Sequence, residues 1–353
     1  MFAVRPAAIA TAALAVLTLS ACTAANDDTA PTQGVASSPP TSTDGTFTLY
    51  AGRDQELIDP LIEKFESATG VSVDVRYAGS TELAALLLEE ADATPADVFL
   101  AQDAGALGAI AKGDMFATLP ENITAKVPVG FTSTDGSWVG VTGRARVIVY
   151  DSEQLSADEV PTTVAALTDD RWSSQVGIAP SNASFQSFVT ALRVLEGEDT
   201  ARAWLEDMKA NDVKIYAKNT PILEAANTGE IALGLINHYY WYRMAAEVGA
   251  DNMRAQLAFP EPGDAGSIVN VTGAGLLKGA ADDADALLFI EYLVSEAAQQ
   301  YFVDSTYEYP LIDGVSAPAG LPALETLTNP KLDLSDLDSL GETTERLVAV
   351  GLL

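Results

Sequence analysis

Few residues in this chain are equipped for covalent chemistry. There is one cysteine, Cys22, and one histidine, His238, in 353 residues. No disulfide can close within the chain, and no Cys/His zinc cluster can be assembled. A lone histidine without a Gly-x-Ser-x-Gly elbow gives little basis for a Ser-His-Asp triad. Aromatic rings are concentrated instead in Asn237-His238-Tyr239-Tyr240-Trp241-Tyr242-Arg243. With Trp138, such rings can stack on a sugar or cage an ammonium group. On its own, a Tyr-Tyr pair also reads as ordinary packing. Arg144 and Arg146 alternate to one face of a β-like run, where they meet either an anion or structural carboxylates.

Charge narrows the partners. With 19 Lys+Arg against 50 Asp+Glu, the formal net charge is −31. A surface this acidic repels phosphate backbones, so no nucleic-acid partner is expected. Yet 48% of residues are hydrophobic and only 20% charged, which is enough apolar matter for a folded core. The length fits about two lobes.

Residues 1–21 have a positive start at Arg5 and an apolar run that ends Leu19-Ser20-Ala21-Cys22. That pattern reads as an export signal, too short to span a membrane comfortably. Small residues before the cysteine resemble a bacterial lipobox, which implies cleavage and lipid on Cys22. Residues 22–45 are rich in Thr, Ala, Ser and Pro and read as a flexible tether. The expected location is therefore outside the cytoplasmic membrane, held there by lipid alone.

The remaining residues must position the polar groups. Segments 47–50, 71–77, 97–100, 175–179, 213–216 and 231–236 are strand-like. Segments 56–67, 81–90, 185–195 and 241–247 have helical spacing. This alternation predicts an α/β chain with mostly parallel sheet. Polar clusters lie at the strand ends, where open α/β sheets bind ligands. Two long β runs, 138–150 and 267–277, read as crossings between two lobes hinged around a cleft.

Several of these segments together resemble one family. They are Tyr50-Ala51-Gly52-Arg53, Ala96-Asp97-Val98-Phe99 with Gln102-Asp103-Ala104-Gly105, Thr142-Gly143-Arg144-Ala145-Arg146, and the Asn-x-Tyr-Tyr motif at Asn237. With leader and tether, they resemble the ferric-iron-binding solute receptors of ABC importers, also called ferric-binding protein A or bacterial transferrins. The resemblance implies a type II periplasmic-binding-protein fold. One lobe would comprise 46–141 plus 272–318, and the other 142–271 plus 319–353. It implies a monomer that binds ferric iron as cargo and delivers it to a permease and its ATPase, with no enzymatic step.

In that family two adjacent tyrosines ligate iron as phenolates; here they are Tyr239 and Tyr240. The chemistry is consistent. Ferric iron is a hard cation that prefers anionic oxygen. A phenol of pKa about 10 ionises at neutral pH only when a strong Lewis acid displaces its proton. Neighbours in a regular helix point about 100° apart, so an irregular strand-to-helix corner is expected at the pair. Other family members add a His and a Glu, at positions that are Asp54 and Gln102 here. Asp54 either ligates or caps a helix. Asp103, beside the poorer ligand Gln102, either substitutes for it or caps the next helix. His238 is expected beside the site or at the surface.

The family often completes the sphere with phosphate or carbonate. The matching positions are Ser181, Asn182, Ala183, Ser184, Asn219 and Asn237, with Arg144 or Arg146 as a supporting charge. Ser181 or Asn182 would equally serve as an N-cap. The alternative function is a receptor for another solute, such as a sugar, polyamine or organophosphate.

Overall fold

The computed structural model describes residues 44–327 and 332–353. The leader, Cys22 and the tether up to residue 43 lie outside the described residues. Strand β1 (Thr46–Ala51) leads into helix α1 (Gln55–Thr69), where the apolar residues behind the helical spacing of 56–67, Leu57, Ile58, Leu61, Ile62 and Phe65, form one buried stripe. Gly70 ends that helix at φ 78°, a left-handed turn that suits glycine. There follow β2 (Ser72–Tyr77), α2 (Ser80–Glu90), β3 (Val98–Ala101), α3 (Ala104–Lys112), short α4 (Glu121–Thr124) and β4 (Val139–Asp151). Next come β5 (Val176–Ile178), α5 (Ala183–Glu196), α6 (Glu198–Ala210), β6 (Lys214–Ile215), α7 (Asn219–Thr228), β7 (Leu233–Asn237) and α8 (His238–Val248). The chain ends with β8 (Ala255–Ala258), β9 (Val269–Leu276), α9 (Ala284–Leu293), α10 (Glu296–Tyr301), β10 (Tyr309–Pro310) and α11 (Leu340–Val350).

The strands form a mixed sheet in the order β2-β1-β3-β9-β4-β7-β5-β6. Parallel pairing, expected to predominate, is confined to the flanks, where β2 and β3 flank β1 and β6 and β7 flank β5. The crossing strands run antiparallel to their neighbours because each returns the chain through the middle of the sheet. All 13 residues of β4 are buried. Residues 139–145 pair with β9, and 146–151 pair with β7 and β8. One strand therefore serves both halves of the sheet. Phe47, Phe65 and Phe289 pack together on one half. Phe185, Phe188 and Trp204 do so on the other.

The C-terminal segment packs across helices α3, α5 and α6. The turn Leu334–Asp338 lies against α3 at such close range that a side chain has no room at Gly105 and is tight at Gly108. A Cβ on Gly105 would sit 2.5 Å from the Leu337 carbonyl oxygen. Beyond it, α11 meets α5 through a 2.7 Å Thr343–Thr190 hydroxyl contact, and Arg193 of α5 donates to Thr343 at 2.7 Å. Forcing a methyl into such a contact costs about 1–3 kcal/mol. Gly105→Ala is expected to lower the thermal midpoint by several degrees in a calorimetric scan. An unchanged midpoint would show that this contact yields freely.

Candidate functional site

The first loop begins where β1 ends. Ser80, at the start of α2, binds two loops at once. Its hydroxyl donates to the Gly52 carbonyl at 3.1 Å and accepts from the Gln102 N–H at 2.7 Å. The stretches carrying Arg53-Asp54 and Gln102-Asp103 are thereby neighbours. Asp54 stands at the N-terminus of α1, but its side chain makes no capping bond and is exposed. Asp103 caps α3 by accepting from the Ala106 N–H at 3.0 Å. Burial pushes its carboxyl up, against those N–H groups and Arg144. Gln102 is half-buried.

The helix starts three residues earlier than expected, so the tyrosines lie within it. Asn237 has the extended backbone of an N-cap, and α8 already starts at His238. Tyr239 and Tyr240 therefore occupy its first turn, where their side chains converge. Their rings stack with centroids 4.3 Å apart and planes inclined by 27°. Tyr239 is 1% exposed, whereas Tyr240 is only partly buried. Burial raises the Tyr239 phenol well above its usual range. Tyr240 and Glu308 push it further up, and Arg144 and Arg53 oppose them.

Three arginines surround this pair. Arg53 donates to Glu308 at 2.6 Å and to the Thr272 hydroxyl at 2.9 Å. Thr142 donates to the other Glu308 oxygen. Burial alone would raise the Glu308 carboxyl, but Arg53, Arg144 and these hydrogen bonds hold it below the usual range. Arg144 donates to the Val271 carbonyl at 3.3 Å. Arg146 donates to Ser184 at 3.1 Å and to the Leu235 carbonyl at 3.2 Å. Burial pushes its guanidinium down to about 9, with Tyr240 opposing, which leaves it charged at neutral pH.

The expected anion loop joins the same cluster. Asn182 caps α5, accepting from the Ser184 N–H at 3.0 Å and the Ser184 hydroxyl at 2.6 Å. Asn219, at the start of α7, donates to Ser184 at 3.2 Å. Ala183 is the first residue of α5. Ser181 turns away and donates weakly to the Ala217 carbonyl at 3.4 Å. Arg144, Arg146, Ser184, Ser187, Asn237 and Asn270 line a cavity of about 10 Å³, room for one water at most. Arg144 Nε and Nη1, Arg146 Nε and Asn270 Nδ2 are buried there without acceptors. A buried cluster rich in unsatisfied donors is suited to an oxygen-rich, anionic guest. Among the described residues no three His, Cys, Asp or Glu side chains are grouped to hold a metal. A hard cation would depend on phenols instead.

A scan for family membership matches residues 93–335 to the bacterial extracellular solute-binding proteins. The chain belongs to this family. It is 30% identical to the Fe(3+)-binding periplasmic protein of Serratia marcescens, over 88% of this chain and 92% of that one. It is 31% identical to the major ferric iron-binding protein of Neisseria meningitidis serogroup B, over 87% and 93% respectively. Iron-bound HitA from Pseudomonas aeruginosa superposes with a TM-score of 0.81 at 31% identity, covering 87% of this chain and 99% of that one. As a solute-binding protein of the type II fold, the chain carries its polar cluster where such α/β proteins bind ligands.

Two residues central to this solute-binding cluster escaped the sequence reading. Glu308 sits in Tyr307-Glu308-Tyr309-Pro310, with no spacing to mark it. Arg53 is visible only as part of the first motif. His238, expected either beside the site or at the surface, is wholly buried beside it. It accepts from the Ala145 N–H through Nδ1 at 3.1 Å, so Nε2 carries the proton and donates to the Tyr307 carbonyl at 2.9 Å. Burial lowers its pKa to about 4, against the hydrogen bonds and Glu308.

The unfolded chain, with an ordinary histidine near 6.5, thus binds the proton more readily than the folded one. Stability from the neutral imidazole is complete above pH 6.5 and falls as pH drops toward 4. The slope is at most about 1.4 kcal/mol per pH unit. His238→Gln should remove this part of the slope in denaturation curves taken from pH 4 to 7. Parallel curves for both proteins would contradict it.

Proposed function

We propose that this protein captures ferric iron outside the cytoplasmic membrane and delivers it to an ABC permease and its ATPase. The observation that carries the reading is the stacked Tyr239–Tyr240 pair set among buried arginines with unmet donors. Ferric-binding relatives aligned over most of the chain support the cargo. Tyr239 and Tyr240 supply phenolate oxygens. Asp54 adds a carboxylate from its exposed position, and Gln102 a weaker amide oxygen. Asp103 is committed to its cap.

A small anion completes the sphere at the start of α5. Asn182, Ala183, Ser184, Asn219 and Asn237 shape its seat, with Ser181 at the rim and Arg144 and Arg146 as counter-charges. Phosphate and carbonate fit this chemistry. A citrate-bearing solved relative, the iron-and-citrate complex of the Trichodesmium protein, extends the class to carboxylates. The two lobes, 46–141 plus 272–318 and 142–271 plus 319–353, close over the ion as a monomeric binding protein without a catalytic step. Among the described residues no helix is long and apolar enough to cross a membrane. Lipid on Cys22 is the proposed anchor after removal of the leader.

Tyr239→Phe and Tyr240→Phe should each abolish the visible tyrosinate-to-iron absorption band and weaken ferric binding by two or more orders of magnitude. Asp54→Ala should weaken binding less. Unchanged affinity in both tyrosine variants would exclude this site. In a bacterial host, Cys22→Ser should move the protein from the membrane fraction to the soluble extracytoplasmic fraction. Retention at the membrane would refute the lipid anchor.

A further inference from the structure

Strand β4 carries one residue more than its partner β9. Val139 stands opposite Ala274 and Gly140 opposite Gly273, but the next pair is Thr142 with Thr272, and Arg144 then faces Asn270. Val141 is the extra residue of a bulge. Side chains alternate across a strand, so a shift of one residue turns every later one to the opposite face. With the bulge, Thr142, Arg144 and Arg146 share the face of Thr272 and Asn270. There Thr142 reaches Glu308, and Arg144 and Arg146 line the cavity with Asn270. In an unbroken ladder Gly143 and Ala145 would take those places, and the site would lose both arginines.

The extra residue is held by a side chain that is none of the proposed ligands. Gln299, on α10, is 0% exposed. Its Nε2 donates to the Val141 carbonyl at 2.7 Å and to the Leu293 carbonyl at 2.9 Å, and its Oε1 accepts from the Leu311 N–H at 2.8 Å. Both donors and the acceptor oxygen of the amide are thus engaged. Strand β10 pairs with β4, Tyr309 with Gly143 and Pro310 with Thr142. Continuing that register sets Leu311 against Val141. The Gln299 amide lies between these two and stands in for the direct bond that the ladder lacks. It therefore ties the bulge to the segment that carries Glu308. The strand before the bulge has no slack either, since a Cβ on Gly140 would lie 2.1 Å from the Phe131 carbonyl oxygen.

We infer that Gln299 is a positioning residue: by holding Val141 out of the regular β4 ladder, it turns Thr142, Arg144 and Arg146 toward the tyrosine site. Its link to iron rests on the ferric reading, whereas its link to the strand register does not. Without the amide, the Val141 and Leu293 carbonyls and the Leu311 N–H would be buried unpaired. The bulge would loosen, and the arginine face with it.

The test compares Gln299→Met, which keeps the volume and loses the amide, with Met208→Ala, a core truncation in α6. Iron is added as ferrous chloride and oxidised by air, and the tyrosinate band is followed where circular dichroism shows each protein folded. Gln299→Met should bind iron about tenfold or more weakly than wild type, with the band maximum displaced. Met208→Ala should keep the wild-type affinity and band, even where its thermal midpoint falls as far. Without iron, amide hydrogen exchange of residues 141–146 should be about tenfold faster in Gln299→Met than in Met208→Ala. Equal exchange in the two variants would overturn the inference, and so would a loss of affinity that follows the midpoint in both. If Gln299→Met does not fold, Gln299→Asn, whose shorter amide cannot span Val141 and Leu311, is read in the same way. Absence of the band in the wild type would instead overturn the ferric reading, and the exchange result would still decide on Gln299.

Discussion

The structure is organised around buried positive charge that has too few acceptors. Arg144 and Arg146 lie on a strand with no exposed residue. Enclosing a guanidinium is costly unless its hydrogens and charge are met. Here carbonyls of Val271 and Leu235 and the Ser184 hydroxyl meet part of the need, and several donors remain unmet. This burial also bears on selectivity. Burial keeps the Tyr239 phenol protonated, so its oxygen becomes a strong ligand only when the metal displaces the proton. A divalent cation such as calcium or magnesium, which prefers carboxylate, carbonyl and water oxygens, has little power to do so.

One strand distributes these groups. Along β4, Thr142 reaches Glu308, the Ala145 N–H reaches His238, and Arg146 reaches Ser184. Residues belonging to both halves of the sheet thus report to one backbone. The register shift between Gly140 and Thr142 falls just before the first of them. It is a local irregularity of the kind that re-aims side chains beside functional sites. His238 acts as a neutral spacer between that strand and the Tyr307 carbonyl. A charged imidazolium there would lose its Nδ1 acceptor role and face Arg144.

Much of this was legible in the sequence, for reasons that differ by residue. The α/β alternation, the two crossing strands and the α1 stripe follow from hydrophobic periodicity, which is a local property. The strand-end clusters around Asn182, Asn219 and Asn237 were legible because polar residues after an apolar run have few other uses. Glu308 was not legible. Its role depends on contacts with Arg53 and Thr142, 255 and 166 residues away in sequence. The antiparallel centre of the sheet was hidden for the same reason, since pairing is a long-range choice. The start of α8 was misplaced because aromatic residues favour helix only weakly and the capping signal came from Asn237 alone. For His238 two places stayed open because a polar residue between polar neighbours reads as exposed, whereas backbone partners on two other segments satisfy it.

The overall charge of −31 and the cationic interior act over different distances. Outer carboxylates are screened within about 8 Å at physiological ionic strength, so they attract a cationic ferric species only near contact. They also disfavour the approach of a negatively charged chelate. Inside, the sign reverses, and low polarisability lets the arginines act with little screening. On the proposed reading, a ferric ion and its anion would gain most where the two fields meet, near the partly buried Tyr240. There the outer carboxylates would favour the metal, and the buried arginines would favour the anion. On that reading, this order of fields would orient the pair before any ligand bond forms.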